Sequence, residues 1–400
     1  MAFAPIPKVL EELRAGRIVV LVDDEKRENE GDFICAAARI TPEALNFMTR
    51  VGGGYLCVAL DGATCDRLEL SPQAAVNTSV RGTPFTISVD GHPRHGVGTG
   101  ISTADRVKTI RLLIDGHTRP DDLVRPGHIN PLRARDGGVL VRTGQTEGSV
   151  DLCRLAGLAP AAVLIEVVRE DGEMARVPDL ERLCAAHSLS MCSVEQIIEW
   201  RLERETLIER MEPHAGTTIE TPEGPMRLIA WRSSIDALPH LALVHGDLGV
   251  PDSGGRIPEC AEPVLVRMHR REILGDVFGV RFDSEEAGQE TIRRSLRAIR
   301  RAGRGALVYL RSEGTGFDLP DRIQRIQRPG AFADVNSPDL LSGNGVAARV
   351  HPMDLRHFGI GGQILRDLGL RRLRILSNHP RPMPGLSGFG LEVDGYEALA

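Results

Sequence analysis

A strongly charged loop between two apolar segments is the feature that most constrains the fold of this chain. Residues 17–23 (RIVVLVD) and 32–38 (DFICAAA) are typical of buried strands. The loop that joins them carries five acidic and two basic side chains and ends in Gly31, which permits a tight backbone. Such a loop is either a solvated turn or a site at the end of a sheet. We favour the site, because Arg27 and Glu28 place a hydrogen-bond donor beside an oxygen ligand.

Further predicted strands and helices alternate along the whole chain. The first half has strands at residues 55–60, 139–142 and 162–168, with helices beginning at Thr41-Pro42 and at a Ser193–Gln196 capping box. The second half adds a helix whose apolar face carries Ile292, Leu296 and Ile299, and a second helix at residues 364–368. It also adds five strands, at residues 227–231, 241–245, 263–268, 306–310 and 373–376. This mixture predicts an α/β or α+β fold.

A polar segment rich in Gly, Pro and Thr divides the chain. It covers residues 211–225 (MEPHAGTTIETPEGP) and follows a charged run at 201–210 that we expect to be helical. A chain of 400 residues is long enough for two separate cores. We therefore predict an α/β domain at residues 1–207 and an α+β domain at residues 208–400.

Composition excludes several classes of protein. The formal net charge of −6 argues against a nucleic-acid binder, and no apolar run approaches the ~20 residues that span a bilayer. Glu11 and Glu12 interrupt the segment where a signal peptide needs an apolar core, so we expect no leader. The seven cysteines form no C-x-x-C pair, which disfavours a zinc ribbon or a disulfide framework. We expect buried free thiols and a cytoplasmic protein.

Three other segments contain candidate functional residues. His128 lies in residues 125–132 (RPGHINPL), where a turn residue and a functional residue are equally good interpretations. Residues 142–147 (RTGQTE) precede a helical run, so an Arg, backbone amides and a Thr hydroxyl are available for a phosphate. Glu166 interrupts an apolar strand, which is unfavourable unless the carboxylate is paired or functional.

Together these segments resemble 3,4-dihydroxy-2-butanone 4-phosphate synthase. The resemblance covers roughly residues 7–205 and includes R-E-N-E-G-D from Arg27, R-P-G-H from Arg125, L-R-A-R-D-G-G-V-L from Leu132, T-E at Thr146, and G-V-G-T-G-I-S-T-A-D-R from Gly96. Members of this family convert D-ribulose 5-phosphate into 3,4-dihydroxy-2-butanone 4-phosphate and formate for riboflavin biosynthesis. They use Mg²⁺ or Mn²⁺ and form homodimers.

The resemblance also implies roles for individual residues. It makes His128 and Glu166 catalytic, and it assigns Glu28 and position 145 to the metal. It assigns the remaining sugar and phosphate contacts to Arg27, Glu28, Asp32, Glu166, Arg142, Thr143, Gly144, Gln145 and Thr146. The reaction removes a proton next to a carbonyl, which requires acid–base groups near the sugar, and a divalent cation polarises the neighbouring oxygens.

One position departs from the family pattern. Where the family usually has a metal-ligating His, this chain has Gln145, whose amide cannot act as a base near neutral pH. Its carbonyl oxygen suits Mg²⁺, which prefers oxygen ligands. The alternatives are a retained metal site with changed affinity and a crippled synthase. We favour retention, because Arg142, Gly144, Thr146 and Glu147 are all present.

The second half resembles GTP cyclohydrolase II, which is often fused behind the synthase. The resemblance runs from about Met211 to the end and includes L-G-D-V-F-G from Leu274, D-L-R-H-F-G-I-G from Asp354 and Q-I-L-R-D-L-G from Gln363. That family holds a catalytic zinc with three cysteines near Leu274-Gly275-Asp276. None is present here, and Cys260 lies too early.

We therefore predict a synthase with an inactive second domain and no zinc. Glu272, Asp283 and Glu285 are poor replacements for thiolates, and Glu313-Gly314-Thr315 and Ser377–Pro382 also depart from the pattern. Asp354 and Arg356, which align with a catalytic pair, are either relics or structural partners. The alternatives are a bifunctional enzyme and a catalytically impaired scaffold or regulator. An Arg-rich helix in this half is a candidate for anion binding.

Overall fold

The structure, a computed structural model, consists of two compact units that divide between Trp200 and Arg201. The residues that it describes are 3–23, 28–75, 77, 83–281, 287–311, 352–378, 386 and 389–399. Each unit is built around its own mixed sheet, which confirms the predicted α/β character of the chain.

The described strands of the first unit form one seven-stranded sheet. Its spatial order is β4-β5-β3-β6-β2-β1-β7, with parallel pairs β3·β5 and β1·β7 and antiparallel pairs elsewhere. The strands are β1 Val19–Val22, β2 Gly31–Ala36, β3 Cys57–Leu60, β4 Val89–Gly91, β5 Leu123–Arg133, β6 Ala161–Glu166 and β7 Ser190–Ser193. The central strands β1, β2, β3 and β6 are apolar and buried, as the sequence predicts for their segments.

Helices cover the sheet and connect its strands. They are α1 Ile6–Arg14, α2 Pro42–Phe47, α3 Gly62–Arg67, α4 Thr103–Ile114, α5 Gln145–Leu155, α6 Val177–His187 and α7 Val194–Arg204. Both predicted helix starts are confirmed: Thr41 Oγ1 accepts the Ala44 N–H at 3.2 Å, and Ser193 and Gln196 exchange side-chain to backbone hydrogen bonds. α7 ends at Arg204, so the predicted helical run through 201–210 is wrong beyond that residue, where β8 begins at Ile208.

The strand predicted at residues 139–142 is also wrong. Gly138–Leu140 forms a 3₁₀ turn that positions the start of α5. Gly137 and Gly138 both have positive φ, and the Val139 N–H donates to Asp151 Oδ2 at 2.9 Å instead of to a neighbouring strand. A short apolar run cannot by itself distinguish a strand from a buried turn.

The second unit contains eight described strands in one sheet. The order is β15-β14-β12-β13-β11-β10-β8, with β9 paired to β10. Its strands and helices are β8 Ile208–Arg210, β9 Thr217–Thr221, β10 Gly224–Ser233, β11 His240–His245, β12 Val264–Arg270, β13 Gly305–Leu310, β14 Arg372–Leu376, β15 Glu392–Glu397, α8 Ile273–Phe278, α9 Gly288–Arg301 and α10 Pro352–Asp367. The Gly- and Pro-rich segment 211–225 therefore contributes β9 and its turn to this sheet.

The Arg-rich helix is α9. Arg293 and Arg297 pair with the Glu223 carboxylate at 2.9 and 2.7 Å, and Arg300 donates to the Glu223 carbonyl. The two guanidinium groups hold the pKa of Glu223 below its usual value. These contacts attach α9 to the turn between β9 and β10.

A buried polar network connects α10 to the sheet of the second unit. Arg356 and Asp236 form an ion pair in which each side chain is 1% exposed. Asp236 Oδ2 lies 3.1 Å from His240 Nε2, and His240 Nδ1 accepts the Arg311 N–H at 3.0 Å. Burial opposes ionisation of Asp236, but the His240 hydrogen bond and the Arg356 charge outweigh it and hold the pKa of this carboxyl below its usual value. Of the two alternatives for Arg356, the structure favours the structural partner.

We expect Arg356→Met to destabilise the second unit strongly, because it leaves Asp236 buried without its cation. The expected loss is roughly 3–5 kcal/mol of unfolding free energy. Urea unfolding followed by fluorescence of the buried Trp231, in a Trp200→Phe background, measures it. Arg372→Met is the matched control, since Arg372 pairs with Asp394 at the surface and such pairs contribute less than about 1 kcal/mol. Equal losses in the two variants would contradict the prediction.

Candidate active site

Strand register brings the predicted site residues to one end of the first sheet. β2 and β6 pair so that Asp32 lies directly opposite Glu166. β3 lies between β6 and β5. Cys57 of β3 pairs with Asn130 of β5, and His128 lies two residues before Asn130. His128 and Glu166 are therefore at the same end of the sheet, two strand spacings or about 10 Å of backbone apart.

A cluster of carboxylates occupies this end. Asp32 is 4% exposed, and burial raises the pKa of its carboxyl well above the usual range. The negative charges of its neighbours raise that pKa further; they are Glu166, Asp23, Glu28 and Glu30. Burial, Glu28 and other carboxylates also raise the pKa of Glu30, although Arg176 opposes them. Negative charge at this end is thus incompletely compensated, which favours a cation.

The acidic loop is held by its own backbone and by Arg176. The Asp23 N–H donates to the Glu30 carbonyl at 3.2 Å, and the Glu30 N–H donates to Asp23 Oδ1 at 2.9 Å. The Arg176 guanidinium donates to the carbonyls of Glu28 and Asn29 at 2.6 and 2.7 Å. These contacts fix the backbone that carries the Glu28 side chain.

The loop differs from its prediction at Gly31. Gly31 is predicted to supply the tight backbone, but the positive φ of 55° belongs to Asn29. Gly31 instead begins β2, where a Cβ would lie 2.4 Å from Leu180 Cδ1, so its role is close packing with α6. Arg27 lies outside the residues that the structure describes.

Backbone amides orient Glu166 at the end of β6. Its Oε2 accepts the Tyr55 N–H at 2.8 Å, and its carbonyl accepts the Gly54 N–H at 3.1 Å. A Cβ at Gly54 would lie 2.4 Å from that carbonyl oxygen and 2.7 Å from Oε2, so only glycine allows this approach. The carboxylate in the apolar strand is therefore paired with a backbone donor.

The first turn of α5 reaches the acidic loop. Gln145 is the first residue of the helix, 6% exposed, and its Nε2 lies 3.5 Å from the Glu30 carbonyl. Thr146 is buried next to it, Thr143 is half-buried, and Gly144 is the N-cap residue. The first N–H groups of a helix have no carbonyl four residues earlier to bind, which makes such a turn suitable for an anion.

Arg142 is fixed beside this turn by a buried acid. Its Nη1 lies 2.6 Å from Oε2 of Glu147, which is fully buried, and Glu147 Oε1 accepts the Arg135 N–H at 3.2 Å. Burial raises the pKa of Glu147, against the effect of Arg142. A Cβ at Gly144 would lie 2.5 Å from Arg142 Nη1, so glycine is needed here for the guanidinium to approach.

His128 lies within β5, and the turn interpretation of this histidine is wrong. Its Nδ1 is 2.6 Å from Asp90 Oδ2, and its N–H donates to Asp90 Oδ1 at 2.9 Å. Asp90 was not predicted, because it lies on β4, 38 residues away in sequence. Arg176 and the Tyr55 amide were missed for the same reason: no local spacing connects them to the motifs they support.

The described part of the chain contains neither a ready-made cluster of metal ligands nor a membrane-spanning helix. No group of three or more His, Cys, Asp and Glu side chains converges there as a metal-binding set. No described helix is both long and apolar enough to cross a membrane. All seven cysteines are free, six of them buried, as predicted.

Comparisons with known proteins match both halves. The family profile of 3,4-dihydroxy-2-butanone 4-phosphate synthase matches residues 7–200, and that of GTP cyclohydrolase II matches residues 212–398. The riboflavin biosynthesis protein RibBA of Aquifex aeolicus is 42% identical over 395 residues, which covers 98% of this chain and 91% of that protein. RibBA of Mycobacterium tuberculosis is 43% identical over 391 residues, covering 97% and 87%.

A solved structure shows the same two-domain architecture. The crystal structure of RibBX, a two-domain 3,4-dihydroxy-2-butanone 4-phosphate synthase from A. baumannii, has a TM-score of 0.76 and 31% sequence identity, and covers 99% of this chain and all of that one. The chain therefore belongs to the RibBA family of riboflavin biosynthesis proteins, with a 3,4-dihydroxy-2-butanone 4-phosphate synthase domain followed by a GTP cyclohydrolase II-like domain.

Proposed function

We propose that this chain converts D-ribulose 5-phosphate into 3,4-dihydroxy-2-butanone 4-phosphate and formate, with a divalent cation, in its first unit. One observation carries the proposal: Asp32, Glu166 and His128, from three separate motifs, lie at the same end of the sheet, where the first turn of α5 reaches the acidic loop. Acid–base groups and an anion-binding turn are what the reaction of a sugar phosphate needs.

In this proposal the two ends of the substrate are bound by different elements. Arg142 and the first turn of α5 hold the phosphate, with contributions from Thr143, Gly144, Gln145 and Thr146. Arg27, Glu28, Asp32 and Glu166 contact the sugar hydroxyls. His128 and Glu166 transfer protons next to the carbonyl. The raised pKa of Asp32 supports its role as a hydrogen-bond donor to a sugar oxygen.

Glu28 and Gln145 are the residues that would hold Mg²⁺ or Mn²⁺. They fit, because both are oxygen donors and the surrounding carboxylates create an excess of negative charge. Two protein ligands suit Mg²⁺, which usually keeps waters and completes its coordination with substrate oxygens. When bound, such an ion polarises neighbouring sugar oxygens.

Gln145 supports retained activity in this scheme. Its side chain is buried against the acidic loop, and its amide keeps a carbonyl oxygen as acceptor. The motif around it is held by the Arg142–Glu147 pair.

The second unit, we propose, has no GTP cyclohydrolase II activity and no zinc. Glu272 caps α8 by accepting the Gly275 N–H at 2.5 Å, and Asp276 is engaged by His269 at 2.9 Å and by the Tyr309 hydroxyl at 2.7 Å. The described part of the structure does not include Asp283, Glu285, residues 313–315, residues 379–382 or the Asp354 side chain. The acids nearest the expected thiolate positions thus have structural partners.

Three further proposals concern the whole chain. We propose that the synthase domain spans residues 1–207 and the second domain residues 208–400. We propose a homodimer, as in the family that the first unit resembles. The seven free cysteines support a cytoplasmic location, where thiols stay reduced.

The purified chain should release formate from D-ribulose 5-phosphate in the presence of Mg²⁺ or Mn²⁺, and a chelator should abolish the release. His128→Gln and Glu166→Gln should each lower the rate by about 10²–10⁴-fold, because each removes a proton-transfer group. His95→Gln is the matched control, since His95 pairs with Asp122 outside the proposed site. Absence of release from the wild type, with release restored by Gln145→His, would refute the retained metal site.

Incubation with GTP should release neither formate nor pyrophosphate at any concentration of zinc. The expected reason is that no thiolate set is available to activate a water. Chelator-sensitive release of either product from the wild type would overturn the proposal for the second unit. Formate release from ribulose 5-phosphate by the same preparation shows that the protein is intact.

Asp32→Asn should abolish activity. In the chelator-treated protein at neutral pH it should nevertheless raise the unfolding temperature by a few degrees, since each kcal/mol of unfolding free energy corresponds to about 2–4 °C. The pKa of Asp32 is higher in the folded than in the unfolded chain, so the folded state binds more protons. Stability therefore falls as pH rises from the unfolded value, ~3.9, through the folded one.

Thermal unfolding from about pH 4 to pH 8 measures this effect, and the gain should disappear at the acidic end. Asp171→Asn is the control, because Arg169 holds the pKa of that exposed carboxyl below its usual value. That substitution should give no gain. A gain from Asp32→Asn that does not depend on pH would contradict the prediction.

A further inference from the structure

We propose that Asp90 is a positioning residue that holds the imidazole of His128 with its proton on Nδ1, so that Nε2 is left as the proton acceptor of the site. The inference rests on the proposed catalytic role of His128. It adds a residue from a strand that none of the predicted motifs includes. Asp90 does not itself contact the substrate in this proposal.

Two contacts fix His128 on Asp90. One carboxylate oxygen, Oδ2, lies 2.6 Å from Nδ1 of the ring, and the other, Oδ1, accepts the His128 N–H at 2.9 Å. The same carboxylate thus binds both the ring and the backbone that carries it, which restricts rotation of the side chain. Asp90 is 6% exposed, whereas the His128 side chain is 44% exposed. The buried acid leaves the far edge of the ring open.

Two glycines allow this close packing. A Cβ at Gly100 would lie 2.1 Å from Asp90 Oδ2 and 2.7 Å from His128 Nδ1. A Cβ at Gly127 would lie 2.0 Å from the carbonyl carbon of Val89. Side chains at these positions would displace the pair, so the backbone on both sides is shaped around it.

The start of α4 fixes the loop that covers Asp90. Asp105 lies in the first turn of this helix, and hydrogen bonds from the Gly98 and Gly100 amides and the Ser102 hydroxyl lower the pKa of its carboxyl. The Gly100 backbone is therefore tied to α4 while it contacts Asp90. This arrangement holds the acid in place independently of any ligand.

The chemical consequence is a defined tautomer. An ionised carboxylate only accepts hydrogen bonds, so a neutral imidazole beside it carries its proton on the facing nitrogen. For His128 that nitrogen is Nδ1, and Nε2 keeps its lone pair. His95 makes the opposite contact: its Nε2 lies 2.6 Å from Asp122 Oδ1, much nearer than the 3.4 Å to Arg94 Nε, so the carboxylate favours a proton on Nε2. The two histidines should therefore differ in tautomer within one protein.

Nitrogen NMR of ¹⁵N-histidine-labelled full-length protein tests this directly. Spectra are recorded about two units above the usual histidine pKa of ~6.5, and His128→Gln and His95→Gln identify the two signals. We expect a protonated Nδ1 in His128 and a protonated Nε2 in His95. In Asp90→Asn the His128 proton should move to Nε2 while the His95 signal stays unchanged. The wild-type spectrum alone decides the tautomer, so the test does not depend on the variant folding.

A wild-type His128 that carries its proton on Nε2 would overturn the proposal, and so would either of two results from the variant. One is a His128 spectrum that is the same in the wild type and in Asp90→Asn. The other is a change at both histidines, which would show a general disturbance instead of a specific effect on His128.

Kinetic measurements provide a second test of the role of Asp90. Asp90→Asn should lower kcat for formate release by about 10²-fold or more, with KM changed by less than about threefold, because proton transfer is impaired and binding is not. In a His128→Gln background the same substitution should have no further effect. An additive loss in the double variant would show that Asp90 acts apart from His128. If the wild type itself releases no formate, the proposed function fails while the NMR result still tests the role of Asp90.

Discussion

The carboxylates gathered at one end of the first sheet are the constraint on which this site depends. Asp32 and Glu166 face each other across neighbouring strands, and like charges in that arrangement repel. Burial is the largest cause of the raised pKa of Asp32, and the repulsion adds to it. A cation and a polyhydroxylated substrate would satisfy the same oxygens.

The surrounding structure holds the site by backbone contacts more than by side-chain pairs. The Tyr55 amide binds Glu166, the Arg176 guanidinium binds the loop carbonyls, and the Asp105 carboxylate binds the amides of the loop over Asp90. Such contacts fix the position of the chain without neutralising the functional groups. The far edge of the His128 ring remains exposed.

Much of this arrangement could be predicted from the sequence, where the signal is local. The strands on both sides of the acidic loop, the Thr41 cap and the Glu166 strand follow from residue type and spacing. The strand predicted at residues 139–142 was wrong because glycines with positive φ and the Asp151 carboxylate bend an apolar run into a turn. Asp90 and Arg176 could not be predicted, since their roles depend on strand order, which sequence spacing does not encode.

In the second unit, too, local hydrogen-bond partners determine what the acidic side chains can do. Cysteines are missing near α8, and the acids that remain there are engaged: Glu272 caps the helix, and Asp276 is bound by His269 and Tyr309. Arg356, buried against Asp236, contributes to the core. A carboxylate that already accepts hydrogen bonds from buried donors must break them before it can bind an ion, and leaving those donors unpaired is unfavourable.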